Sequence, residues 1–155
     1  MIEEIVEAWR INNRVNLRLV EHISDAGMRC TLSKRGGRNV VRQLTHLQYV
    51  RVYQLNHRAK PLAKGARTFE SHEEPDRRTL TTALNDSSQR IEQWIRLASE
   101  GAPGIRTLRP GLVPTVGYLI AHESHHRGSI LLTLKQCGHP LDKDVRFGIW
   151  DWNNV

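Results

Sequence analysis

Four stretches of this chain space their apolar residues by three and four, and no stretch alternates convincingly with a period of two. The first carries Ile2, Ile5, Val6, Trp9, Leu17 and Val20. The second carries Val40, Val41, Leu44, Leu47, Val50, Val52 and Leu55. The third holds Leu80, Ala83, Leu84, Ile91, Trp94, Ile95 and Ala98, and the fourth Val116, Leu119, Ile120, Ile130, Leu131, Leu134 and Cys137. Such spacing lines one face of a helix with apolar groups that need a partner surface. An all-α bundle of four helices follows, over residues 2–23, 40–57, 77–99 and 114–137.

The punctuation agrees with those boundaries. Ser24-Asp25-Ala26-Gly27 breaks the first helix, Gly36-Gly37 lies in a basic connector, and Asn39 is placed to cap the second helix. Gly101, Pro103 and Gly104 end the third helix. Pro114 suits the first turn of the fourth, and Gly138 with Pro140 stops it. The connection between helices two and three, residues 58–76, is long for antiparallel neighbours and suits a crossing from one end of a bundle to the other. Within it Ser71 and Glu74 have the spacing of a capping box. The tail gathers Phe147, Trp150 and Trp152, which must cover either the chain's own helices or a partner subunit.

A chain of 155 residues suits one domain, residues 1–155. No run of apolar residues is long enough for a membrane span, and Met1-Ile2-Glu3-Glu4-Ile5 does not read as a secretory signal, so a cytoplasmic protein is expected. Cys30 and Cys137 are too few for a disulfide framework. The net charge of +7 raises nucleic-acid binding, but the basic residues are dispersed and lack interleaved aromatics. A solvated basic surface is the better reading, and specific nucleic-acid binding is not expected.

Chemistry concentrates in the fourth helix. His122 and His126, four residues apart, stack on one helical face and can reach a single metal ion from consecutive turns. His122-Glu123-Ser124-His125-His126 also spells H-E-x-x-H, the zinc-peptidase pattern, in which the glutamate acts as a base. The extended form of that pattern asks for Gly and His where Ser129 and Leu132 stand, and no glutamate follows Glu123. The peptidase template would then need His139, Asp142 or Asp144 as its third ligand, beyond the helix stop. An upstream histidine is the alternative: His46 lies at the edge of the second helix's apolar sector, where such a residue by itself is ordinarily a border residue. Asn13 and Asn16 fall on the first helix's apolar stripe and must find hydrogen bonds if buried.

Here the chain resembles the DinB family. The matching elements are the histidine midway along the second helix, in Gln43-Leu44-Thr45-His46-Leu47, the H-x-x-x-H-R-G run from His122 to Gly128, and the long crossover. The resemblance implies a four-helix bundle of up-down-down-up order, usually a homodimer. It also implies His46, His122 and His126 as ligands of a divalent metal: zinc or nickel first, iron or manganese next. The activity implied is activation of a low-molecular-weight thiol, or of water, for transfer or hydrolysis. The alternative is a non-catalytic metal-binding stress-response protein. Glu123 is the candidate catalytic residue, as general base or as an orienter of the ligands; it could instead face solvent or pair with Arg127. Ser129 departs from a glutamine frequent in the family, and His125 points to the side as a neighbour of the site.

Overall fold

The computed structural model describes residues 1–155, and the chain is all-helical, without strands. Four long helices dominate: α1 (Ile2–His22), α3 (Val40–Arg58), α5 (Arg77–Ser99) and α6 (Leu112–Gln136). Three short ones lie between or after them: α2 (Asp25–Met28), α4 (Lys60–Ala63) and α7 (Lys143–Gly148). The short helices are invisible to a periodicity argument because none completes two turns. α1 packs against α5 and α6, and α3 packs against the same two helices.

The helix ends follow local chemistry. The Asn39 side chain accepts a hydrogen bond from the Arg42 backbone N–H at 3.0 Å, as its position predicts. Asp76 caps α5 by accepting from the Thr79 backbone N–H at 2.7 Å. α6 begins two residues earlier than the proline signal suggests, so Pro114 is its third residue, still in the first turn, where a missing N–H breaks no helical bond. Before it, Gly111 adopts φ 115°, a conformation costly for a side chain. Ser71 and Glu74 do not close a capping box. The Glu74 carboxylate accepts from the Asn39 Nδ2 at 2.7 Å, tying the crossover to the start of α3.

Burial divides the interior into three layers. One apolar cluster combines Val15, Leu19 and Val20 of α1, Leu44 and Leu47 of α3, Leu80 and Leu84 of α5, and Ile130 and Leu134 of α6. The other combines Val6 and Trp9, Leu55, Ile91 and Trp94, and Val116 and Leu119. Between them the middle turn of every long helix is polar and buried: Asn12, Asn13 and Asn16 on α1, Gln48 and Arg51 on α3, Ser87 on α5, Glu123 and Arg127 on α6. The crossover after α3 runs from the second cluster, which holds Ala63, to the first, which holds Phe69.

The tail covers its own chain through a different set of residues than its aromatics suggest. Leu141, Val145 and Ile149 are buried in the first cluster, and α7 packs against α1. Phe147, Trp150 and Trp152 stay exposed. Cys30 and Cys137 are half-buried free thiols. No helix is long and apolar enough to cross a membrane.

Candidate metal centre

α3 and α6 pack against each other, and their contact brings His46 to His122 and His126. One ring nitrogen from each residue lies within 4.8 Å of those from the other two. Ring centroids are 5.5 Å apart for His46–His122, 4.9 Å for His46–His126 and 4.7 Å for His122–His126. Metal–nitrogen bonds of roughly 2.0–2.1 Å at tetrahedral angles put ligand nitrogens about 3.3 Å apart. Small side-chain rotations close the remaining gap, so the donor set fits a divalent ion. The three rings are half-buried, which leaves one side open to a further ligand. Tyr49 stacks beside His46 at 6.2 Å and Tyr118 beside His122 at 6.3 Å, so an aromatic ring flanks the cluster on each helix.

Electrostatics keep the imidazoles unprotonated. Burial, then the charge of Arg38 and the neighbouring His122, push His46 down to about 4. Burial and the flanking histidines, with Arg38, take His126 to about 4 as well. His122 is lowered by burial and by His125, with the Glu123 charge acting in the opposite sense. Neutral rings are the form that binds metal, so no proton needs to be displaced near pH 7. His125 is exposed; its ring lies 5.3 Å from His126, outside the group of three. Ser129 is exposed too, and its carbonyl accepts from the Thr133 hydroxyl.

Glu123 turns inward into the polar layer. Its Oε1 accepts from Arg51 Nε at 2.6 Å, and its Oε2 accepts from Arg51 at 3.0 Å. The same Oε2 accepts from Asn12 Nδ2 and Asn16 Nδ2, both at 2.6 Å. Burial disfavours the charged carboxylate, but the Arg51 charge and these hydrogen bonds outweigh it and hold Glu123 below the usual carboxylate range. Arg127 does not pair with Glu123 directly. It donates to Asn12 Oδ1 and Asn16 Oδ1 at 2.7 and 2.9 Å and to the Ser124 hydroxyl at 2.7 Å. Arg51 also donates to Asn13 Oδ1 and the Leu84 carbonyl, reaching α1 and α5.

The ion pair between Arg51 and Glu123 thus joins the two helices that carry the histidines. Arg51 follows His46 by five residues and Glu123 follows His122 by one. Asn13 and Asn16 enter this network as buried groups with hydrogen bonds, and Asn12 joins them. Arg51 was not apparent as a functional residue from sequence, yet it had a signal. It lies four residues from Leu47 and four from Leu55, in the middle of an apolar stripe. A charge there is buried only with a counter-charge, and Glu123 is the one that meets it.

These features define a class: an all-helical protein with three histidines from two helices grouped around one open position. The chain belongs to the DinB family, whose family model matches residues 1–145. No curated protein and no solved structure matches it individually.

Proposed function

We propose that this protein is a metal-dependent enzyme whose divalent ion is held by His46, His122 and His126 and serves to activate a thiol or a water. The observation that carries the reading is the meeting of three neutral, half-buried imidazoles within 4.8 Å, with one side left open. A divalent ion held by neutral ligands keeps its full charge and lowers the pKa of a thiol or water bound to it. Zinc or nickel suits three imidazoles, and iron or manganese binds such donors less tightly.

The chain's own residues set the geometry. His122 and His126 are fixed by one helix, so the variable in the site is the position of α3 relative to α6. The pair Arg51–Glu123 sets it from behind. We assign Glu123 the orienting role, because its oxygens already accept four hydrogen bonds and its depressed pKa makes it a weak base. Tyr49 and Tyr118 shield the flanks of the open position.

The scaffold in this reading is one domain, residues 1–155, a four-helix bundle of up-down-down-up order. Cluster membership supports the order: the later halves of α1 and α6 share an apolar cluster with the earlier halves of α3 and α5. A homodimer is the assembly we propose, supported by the exposed Phe147, Trp150 and Trp152.

Cobalt substitution tests the function. Adding a low-molecular-weight thiol such as cysteine to the cobalt-loaded protein is expected to give a near-ultraviolet thiolate-to-cobalt band, absent in His46→Ala. A cobalt spectrum unchanged by any thiol removes thiol activation and leaves water as the nucleophile.

A further inference from the structure

Next to His46 the surface sinks into a cavity of about 420 Å³, within the size range of small-molecule sites. Arg38, Arg42, His46, Tyr49, Phe69 and Glu70 are among its walls. One of the three histidines is therefore shared between the metal cluster and this cavity. The cavity has an apolar side made by Tyr49 and the buried Phe69, whose ring is backed by the Arg67 guanidinium at 5.0 Å. Its other side is cationic.

The two arginines there are unspent. Neither Arg38 nor Arg42 takes part in any ion pair of the chain. Arg42 is oriented by its Nε, which donates to the Ser71 carbonyl at 2.8 Å, leaving its two terminal amino groups without a protein acceptor. The Arg38 side chain makes no hydrogen bond to the protein, and its charge is felt at both His46 and His126. Glu70 is the cavity's own carboxylate. It forms no ion pair with either arginine, while Glu73 is turned to Arg67 and the Glu70 backbone N–H, and Glu74 to Asn39. Two guanidinium groups lining one cavity without counter-charges repel each other unless an anion stands between them. Their forked donors match the paired oxygens of a carboxylate or phosphate.

We propose that this cavity binds a small organic anion, gripped by Arg38 and Arg42 through its carboxylate or phosphate and lying with its apolar part on Tyr49 and Phe69. The bound molecule then extends past His46 toward the open side of the histidine cluster. The assignment of this ligand as substrate rests on the metal reading above; the anion site itself does not.

Isothermal titration with benzoate, and with its neutral counterpart benzamide, tests the proposal on the zinc-loaded and the metal-free protein. Benzoate is expected to bind at least about ten-fold more tightly than benzamide, the scale of a charge-assisted pair. Arg38→Gln is expected to erase about ten-fold of that affinity with zinc content unchanged. This variant removes no hydrogen bond from the fold, and Arg38→Gln with Arg42→Gln should abolish the preference. Inorganic phosphate in competition reports which head group the arginines prefer. Equal binding of benzoate and benzamide overturns the proposal. So does benzoate affinity untouched by the double substitution, since the carboxylate would then sit elsewhere. Preference for benzoate in a protein that binds no zinc sinks the metal reading and leaves the anion site standing.

Discussion

Glu123→Gln removes one charge and almost no volume, and the layered interior sets what that costs. In the native chain the two carboxylate oxygens accept four hydrogen bonds, two from Arg51 and one each from Asn12 and Asn16. A glutamine amide placed at the Oε1 position points its N–H groups at the Arg51 Nε–H. Placed at Oε2 it faces three donors. Either way at least one donor meets a donor, and the guanidinium groups of Arg51 and Arg127 are left buried without a counter-charge. Breaking a buried ion pair from one side costs about 3–5 kcal/mol. For a chain of this size each kcal/mol lowers Tm by about 2–4 °C, so a fall of roughly 6–20 °C is expected. Thermal denaturation followed by circular dichroism, on metal-free protein so that binding adds nothing, is the assay. Arg51→Met should cost a similar amount. The double variant Arg51→Met with Glu123→Leu should cost clearly less than the two single losses together. A Tm within about 2 °C of wild type for Glu123→Gln would refute the reasoning, because the polar layer would then not depend on an ionised Glu123.

Other outcomes follow from the same interior. Stability of the metal-free protein should decline as pH falls from about 6.5 toward 4. The folded chain holds His46, His122 and His126 below their ordinary values, so acid protonates the unfolded chain first; the histidine contribution is complete above the unfolded value and is lost on descent. Glu123 adds a further loss below its unfolded value, since its pKa is also depressed. A pH series of Tm values should flatten between 6.5 and 4 in His46→Ala with His126→Ala; an unchanged slope contradicts the assignment. Asn39→Ala deletes the cap of α3 and its link to Glu74, and should lower Tm by the 2–4 °C that about 1 kcal/mol represents. Trp150→Ser should shift light-scattering mass from dimer toward monomer, and a wild-type protein already monomeric at working concentration counts against the dimer.

The fold was legible because its four long helices carry apolar stripes at helical spacing with strong stops between them. The middle of the structure was harder to read. α3 and α6 bury Gln48, Arg51, Glu123 and Arg127 as fully as leucines, so their stripes are interrupted where the site is supported. Periodicity places these positions on the apolar face, at three-and-four spacing from Leu44, Leu47, Leu55, Leu119 and Ile130, while their polarity argues for solvent; only the pairing of charges across helices accounts for their burial. Asn13 and Asn16 were visible as polar groups on an apolar face; Asn12 shares that spacing, three residues after Trp9 and four before Asn16, but sits at the edge of the stripe. His46 shows the same limit from the other side. Its place at the edge of an apolar sector is ordinary when taken alone, and only the contact of α3 with α6 gives it company. The aromatic tail misled as to which residues pack, because Leu141, Val145 and Ile149 take the buried side and leave the larger rings outside.

Metal content by elemental analysis of protein purified without a histidine tag tests the central claim most directly. One divalent ion per chain is predicted, falling to near zero in His46→Ala as completely as in His122→Ala or His126→Ala, with His125→Ala unaffected. Full metal content in His46→Ala, or none in the wild-type protein after incubation with zinc or nickel, would contradict it.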